Sequence, residues 1–243
     1  MRAPRIGVVL VAILAWLLPG AGPASAADEC RGLPSCIPVP GPWVVIPAPS
    51  AGDPLPTTLY ELRCPPPGGL VGGIDARVSN ARIDLTFFGA LGSPVSPGIT
   101  TTNAVLFQGV YTGRGRAPTT FQPFIGCIPA AGGGRSQTFR APSAVRPGRP
   151  TTLRVRSIRL RQGRAQSVTH GCRPGERLLS SSHALGFYTR REPEETLIGS
   201  ARITRAERPD GMIAVRVVTD YGLPPSLRAE LQIHAVCARG GRP

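Results

Sequence analysis

The chain has 243 residues, a formal net charge of +14 at pH 7 and six cysteines, and all 28 of its basic residues are arginine. The absence of lysine excludes a Schiff-base lysine and a nucleotide-binding loop of the Gly-Lys-Ser/Thr type. An even number of cysteines without any Cys-x-x-Cys pair is typical of disulfides formed in an oxidising compartment, rather than of a redox or zinc site.

The first 26 residues predict a secretory signal peptide. Arg2 and Arg5 precede the apolar stretch 6–18, and Ala24-Ser25-Ala26 is a small-residue cleavage site. The apolar stretch is shorter than the roughly 20 residues that a membrane-spanning helix needs. We therefore expect cleavage after Ala26 and a protein that is secreted, either extracellular or associated with the cell envelope.

A segment bounded by two cysteines occurs twice, at 64–127 and at 172–237. The closing parts align at a constant offset that places Gln122 on Gln232, and the opening cysteines have an offset two residues shorter. The alignment therefore predicts a tandem repeat, with two residues inserted in the second copy before Thr196. The alternative is two unrelated β-segments that share common residues.

The repeat favours one pattern of disulfides, although the sequence alone leaves other pairings open. Cys64–Cys127 and Cys172–Cys237 would be equivalent bonds, and Cys30–Cys36 would close a short loop. A disulfide that closes a loop of about 60 residues restricts the unfolded chain by roughly 4 kcal/mol.

Short apolar runs between turn residues predict an all-β fold with little helix beyond the signal peptide. We expect two tandem small antiparallel β-sandwich domains, each tied by a disulfide. The predicted organisation is a signal peptide at 1–26, a Pro/Gly-rich segment at 27–42, repeat 1 at 43–128, a Gly/Pro/Arg-rich linker at 129–150, repeat 2 at 151–240 and a tail at 241–243.

Four segments carry more specific expectations. Prolines bracket the run 43–46, which predicts an edge strand. The run 196–203 predicts another strand, and a shift in the alternation at Ser157 predicts a bulge or bend. The segment 227–236 alternates between apolar and polar residues, which predicts a half-buried strand with its polar face in water.

Arginine is the strongest functional signal. Residues 85–175 contain twelve arginines and no acidic residue. Nine of them form the predicted polyanion-binding set: Arg135, Arg140, Arg146, Arg149, Arg154, Arg156, Arg159, Arg161 and Arg164. Arg154, Arg156, Arg159 and Arg161 are expected to project as one ridge that attracts anionic polymers and is weakened by salt. The alternative is that these arginines only keep the surface soluble.

The expected partners are a cell-wall polymer, an acidic polysaccharide or an anionic membrane surface. Arginine suits them because its guanidinium binds carboxylate and phosphate groups through two parallel hydrogen bonds. Only Phe139 lies among these arginines. Nucleic-acid readers interleave several aromatic residues for stacking, so no specific nucleic acid is expected.

Candidate catalytic residues are few. His170, His183 and His234 could form a metal site, and Ser180-Ser181-Ser182-His183 with Asp220 could form a hydrolase site. Adjacent serine and histidine residues on a strand point to opposite faces, and no Gly-x-Ser-x-Gly elbow occurs. We therefore expect a non-enzymatic protein without a metal or cofactor. A secreted hydrolase or metal-dependent enzyme that uses these histidines is the first alternative, and a structural or protein-inhibitor module is the second.

The ends of the second copy resemble repeats in secreted proteins of unknown function from high-GC bacteria. The resemblance lies in the opening Cys172-Arg173-Pro174-Gly175 and the ending Ala235-Val236-Cys237-Ala238. It covers both copies, although the first departs at its close with Ile125-Gly126-Cys127-Ile128. These are framework residues, and the resemblance implies no activity.

Overall fold

A computed structural model describes residues 28–33, 35–66, 69–88, 103–129 and 151–239. The predicted signal peptide, the tail and nearly all of the linker lie outside these residues. The first half contains β1 (Ile37–Pro40), β2 (Trp43–Ile46), β3 (Thr57–Arg63), β4 (Gly69–Val78), β5 (Ile83–Phe88), β6 (Ala104–Tyr111) and β7 (Thr119–Pro129). The second half contains β8 (Thr151–Arg159), β9 (Ala165–Gly171), β10 (Glu176–Phe187), the short helix α1 (Glu195–Gly199), β11 (Ala201–Glu207), β12 (Met212–Thr219) and β13 (Ala229–Arg239). The predicted all-β fold is confirmed.

Three antiparallel sheets build the molecule. The largest sheet has seven strands. One edge of β7 pairs with β4, and its other edge pairs with β1 and then, further along, with β2. This sheet continues from β2 through β10 and β13 to β8. The two smaller sheets have the orders β3-β6-β5 and β9-β12-β11.

The two halves have matching strand connections. β4 pairs with β7 as β10 pairs with β13, and β3-β6-β5 has the same order as β9-β12-β11. Cys64–Cys127 joins the end of β3 to β7, and Cys172–Cys237 joins the end of β9 to β13. Together with Cys30–Cys36, these bonds have the pairing that the repeat alignment favours.

The strand register shows that the net difference of two residues between the halves arises after β12. Leu62 and His170 both lie two residues before an opening cysteine, and they pair with Val105 and Ile213. Val105 and Ile213 are therefore equivalent, with the same offset as the cysteines. The expected insertion of two residues before Thr196 is wrong in size. The connection before β11 has 13 residues where that before β5 has 4, and the connection after β11 has 4 where that after β5 has 15. The constant offset of the sequence alignment therefore holds only for β7 and β13.

Helix α1 replaces the beginning of a predicted strand. Only the part of the run 196–203 that begins at Ala201 is extended, as the start of β11. The N–H and the hydroxyl group of Ser200 both donate to the carbonyl of Leu197, at 3.2 and 2.7 Å, and end the helix. Leu197 packs against the core of the second half from this helix, so the apolar residue is partly buried without a strand.

Strand β2 joins the two halves into one sheet. Val44 pairs with Phe121 of β7 and with Gly186 of β10, and every residue of β2 is buried. The prediction of an edge strand is therefore wrong. The bracketing residues Pro42 and Pro47 lie just outside β2, so they remove no hydrogen bond within it.

A small apolar cluster lies between the halves. Ala104 and Leu106 of β6 form it with Leu153 of β8, and Leu59 and Phe88 pack against it. The outer face of β3-β6-β5 therefore packs on the outer face of β8 and β13.

As a result, both faces of β13 are buried. Leu231 and Ile233 lie in the core of the second half. On the opposite face, Glu230, Gln232 and His234 are only 7%, 4% and 0% exposed. The prediction of a half-buried strand is wrong because the first half covers the face that the pattern assigns to water.

The side-chain amide of Gln232 forms the two hydrogen bonds with β3 that the backbone of a neighbouring strand would form. Its Oε1 accepts the Glu61 N–H at 2.9 Å, and its Nε2 donates to the Glu61 carbonyl at 2.8 Å. His234 Nε2 donates to the same Oε1 at 3.1 Å, so His234 Nδ1 accepts the Ser182 hydroxyl at 3.2 Å. These bonds satisfy polar groups that would be costly to bury alone.

Glu230 forms a second polar contact between the halves. Its carboxylate accepts hydrogen bonds from the hydroxyl groups of Tyr60 and Tyr188. Burial, with the nearby Glu230 carboxylate, raises the pKa of Tyr60 well above its ordinary value. The guanidinium of Arg228 lies 4.0 Å from the centre of the Tyr188 ring and donates to Glu230.

Substituting Gln232→Leu should lower the free energy of unfolding by about 2–4 kcal/mol, because the buried N–H and C=O of Glu61 lose their partner. Chemical denaturation measures this loss. Gln122→Leu is the matched control, since Gln122 has the equivalent place in β7 and donates to one backbone carbonyl, that of Gly41. Equal losses in the two variants would contradict a special role for Gln232.

Candidate functional site

The predicted arginine ridge divides between the two faces of β8. This strand pairs with β13 without a shift in register from Thr151 to Arg159. Side chains alternate along a strand, so Arg154 and Arg156 lie on the face opposite to Arg159. The bulge or bend expected at Ser157 does not occur, and a single ridge is therefore wrong.

The side chain of Arg154 forms an ion pair within the protein. Its Nε and Nη2 donate to the two carboxylate oxygens of Glu176 at 2.9 and 2.6 Å, and the side chains are 16% and 12% exposed. This pair holds the pKa of Glu176 below its ordinary value, chiefly through the hydrogen bonds from Arg154. Arg156 is exposed and donates to the carbonyl of Thr169 at 2.8 Å.

The other predicted arginines fall into two groups. Arg159, Arg161 and Arg164 are exposed, at the end of β8 and in the turn that follows it. The remaining four lie outside the described residues: Arg135, Arg140, Arg146 and Arg149.

Arg159 and Arg161 line a pocket of about 410 Å³ at one end of the second half. The other lining residues are Leu160, Gln162, Leu223, Pro224, Pro225 and Leu227. Within the described ranges, neither arginine forms an ion pair with an acidic side chain. The volume is typical of sites for small ligands. We call this feature the basic pocket.

Thr219 fixes the two turns that form the basic pocket. Its buried hydroxyl group donates to the carbonyl of Arg161 and accepts the Arg164 N–H at 3.2 Å. Gln162 Nε2 also crosses between the turns and donates to the carbonyl of Tyr221 at 3.1 Å. The backbone that carries Arg161 is therefore held by hydrogen bonds on both sides of the turn.

The apolar wall of the basic pocket belongs to the core. Leu160 and Leu223 are 3% and 1% exposed and lie in the second-half cluster. The Leu160 N–H donates to the carbonyl of Ala229 at 2.9 Å, and the Leu227 N–H donates to that of Pro224 at 3.0 Å. The basic pocket thus combines a fixed apolar wall with two arginines that have solvent-exposed side chains.

Tyr221 lies beside the basic pocket and is 84% exposed. Its ring lies over Gly163, where a Cβ atom would come within 3.3 Å of the ring atoms Cε1 and Cζ. Gly163 has a φ of +59°, which favours glycine in this turn. The turn therefore supports one face of the ring and leaves the rest of the side chain open.

The segment 221–227 is not among the site residues predicted from the sequence. Its Tyr-Gly-Leu-Pro-Pro run lies just before the predicted strand 227–236 and is recognisable as a loop. Nothing in its local pattern shows that it faces Arg159 and Arg161. That proximity arises because β8 pairs with β13 and β9 pairs with β12, so the turn that joins β8 to β9 lies beside the loop that joins β12 to β13.

The three histidines do not converge on a common site. His170 Nε2 lies 3.0 Å from the carbonyl of Arg154. His183 and His234 are on opposite faces of the sheet, since His234 pairs with Ser182 and His183 pairs with Ile233. In the described part of the chain, the one group of three possible metal ligands is Cys172, Glu176 and Cys237, and its cysteines form a disulfide.

The serine–histidine alternative is not assembled around Asp220. Ser182 contacts His234 rather than its neighbour His183, on a face covered by the first half. Asp220 lies in the turn after β12, where its Oδ1 accepts the Gly222 N–H at 2.7 Å. The described residues therefore bring no Ser-His-Asp triad together.

No protein-family model matches the chain, and no curated protein or solved structure is significantly similar to it. Among the described residues, no helix has the length and apolar character needed to cross a bilayer. Any assignment of function therefore depends on the geometry of the site.

The buried histidines make fold stability depend on pH. Burial lowers the pKa of His234 from 6.5 to about 3. Burial and the charge of Arg205 lower that of His183 to about 4. In the unfolded chain both histidines take up protons below pH 6.5, while in the fold they stay neutral. Acid therefore favours the unfolded state, whereas Glu61, whose pKa burial raises, opposes this at lower pH.

The free energy of unfolding should fall as the pH is lowered from about 6.5 to 5. The slope should approach about 1.4 kcal/mol per pH unit for each histidine that stays neutral in the folded protein. Denaturant titrations across this interval measure the slope. His234→Gln should reduce it by up to one histidine's contribution, and His170→Gln, at a partly exposed position, should change it less. A flat wild-type profile would contradict this account.

Proposed function

We propose that the chain is an exported, non-catalytic protein, extracellular or associated with the cell envelope, that binds anionic polymers or surfaces. One observation carries the proposal: Arg159 and Arg161 flank a fixed pocket and have no acidic partner among the described residues. An arginine already paired inside the protein, such as Arg154, would have to exchange one carboxylate for another.

The physical chemistry of the basic pocket suits such a ligand. Each guanidinium can form two parallel hydrogen bonds with a carboxylate or phosphate group. An apolar wall of Leu160 and Leu223 excludes water from one side of the ligand, and charge interactions are stronger where less water surrounds them. Without Arg2 and Arg5 of the predicted signal peptide the net charge is 14 − 2 = +12, and this charge would also speed the encounter with a polyanion.

The described part of the first half has no arginine at the place equivalent to this turn. Ile46 and Leu160 occupy equivalent places at the ends of β2 and β8, opposite Thr119 and Ala229. The residues that follow Ile46, 47–56, contain no arginine. Under the tandem-repeat interpretation, which the matching strand connections support, the second copy alone acquired the binding turn.

The compartment agrees with the proposal. The protein has three disulfides, and disulfides form and persist in an oxidising environment. The predicted signal peptide at 1–26 would deliver the chain to that environment. Wall polymers, acidic polysaccharides and anionic lipid headgroups are the polyanions available there.

The double substitution Arg159→Ala/Arg161→Ala should weaken binding to polyglutamate and polygalacturonate by about tenfold or more, because it removes the two charge-assisted contacts. Binding is measured at low salt, and the affinity of the wild-type protein should fall as salt is added. The matched control is Arg114→Ala/Arg116→Ala, which removes two exposed arginines of the same spacing from the first half.

A loss confined to the Arg159/Arg161 variant supports the basic pocket as the binding site. Equal losses in both variants would show that net charge alone attracts the polymer. No binding of either polymer by the wild-type protein would contradict the proposal and favour a structural or protein-inhibitor module.

A further inference from the structure

We infer that the ligand of the basic pocket is an acidic polysaccharide, with a sugar ring stacked on Tyr221 and acidic groups bound by Arg159 and Arg161. The inference rests on the proposed function and adds the class of ligand. It depends on the side chains that surround the two arginines.

The ring of Tyr221 is exposed and held in place, so a ligand can stack on it. Its side chain is 84% exposed, more than any other large apolar or aromatic side chain in the described residues, and Phe87 follows at 58%. Gly163 supports one face of the ring, and the hydrogen bond from Gln162 to the Tyr221 carbonyl fixes its backbone. The ring is thus held beside the pocket residue Gln162 without being covered.

A sugar ring is the partner that this platform fits. The face of an aromatic ring carries the negative part of its quadrupole. The C–H bonds on one face of a sugar ring carry a partial positive charge and form an apolar surface of similar area. Stacking of the two faces would leave the hydroxyl and acidic groups of the sugar at the edge of its ring. Arg161 and Gln162 directly precede Gly163, which supports the tyrosine ring, so their side chains are near enough to bind those groups.

The spacing of the arginines favours a polymer over a single anion. Arg159 and Arg161 are two residues apart, which corresponds to roughly 7 Å between Cα atoms in an extended segment. Arg164 continues the positive charge past Gly163 and is also exposed. A chain of sugars with repeated acidic groups presents several anions to this row.

Two other classes of polyanion fit less well. Single-stranded nucleic acid binds by stacking successive bases on several aromatic side chains, and Tyr221 is the single aromatic residue of this turn pair. A lipid surface is bound by apolar side chains that insert between the lipids. The leucines of the basic pocket do not protrude in this way, because Leu160 and Leu223 are buried and Leu227 is partly buried against the same core.

The test compares two polymers of carboxylates in the full mature protein. Polygalacturonate carries its carboxylates on sugar rings, and polyglutamate carries them on a chain without rings. Tyr221→Ala should weaken binding to polygalacturonate by roughly fivefold to tenfold and leave binding to polyglutamate unchanged. Tyr221→Phe should retain the affinity, and Tyr221→Leu, which keeps apolar bulk without a ring, should behave like Tyr221→Ala.

Each outcome separates this inference from the proposed function. If Arg159→Ala/Arg161→Ala weakens binding to both polymers while Tyr221→Ala weakens neither, the binding site stands and the polysaccharide inference is overturned. Equal weakening by Tyr221→Ala for both polymers would also overturn it. Single-stranded DNA or anionic vesicles bound more tightly than polygalacturonate, with the same dependence on Tyr221, would replace the sugar with that ligand.

Discussion

The burial of both faces of β13 is the constraint on which the rest of the structure depends. Its alternating sequence places Glu230, Gln232 and His234 opposite an apolar face, and the fold leaves neither face to water. Buried polar groups are costly without partners. Ser182 bonds His234 within the second half, and the first half has to supply partners for Glu230 and Gln232. It does so through the Tyr60 hydroxyl group and the backbone of Glu61, which fixes how the two halves meet.

The basic pocket takes its position from the same strand. β8 pairs with β13 as far as Arg159, opposite Glu230, and the next residue still donates to Ala229. The chain turns away where β13 begins, so the side chains that follow point out at the edge of the core. The arginines are therefore exposed and yet mounted on a backbone that the core holds in place, which is what a preformed binding site requires.

The all-β fold could be predicted from the sequence because short alternating runs and turn residues are local signals. The role of Gln232 could not, since the same alternation results whether water or another part of the chain covers the polar face. Arg154 and Arg159 look alike in sequence, and only the tertiary position of Glu176 distinguishes the paired arginine from the free one. Tyr221 was missed for a similar reason: its loop is recognisable, but it lies beside the turn 160–164 only through the pairings of β8 with β13 and of β9 with β12.

The central position of β2 has a consequence for the order in which the chain folds. β2 pairs with β7 and also with β10, and more than half of the chain lies between β2 and its partner residues in β10. Pairings between such distant segments form slowly, because a long loop has to close first. A chain synthesised from its N-terminus therefore keeps the outer edge of β2 open, as a site for mispairing with other chains, until the middle of its second half has emerged.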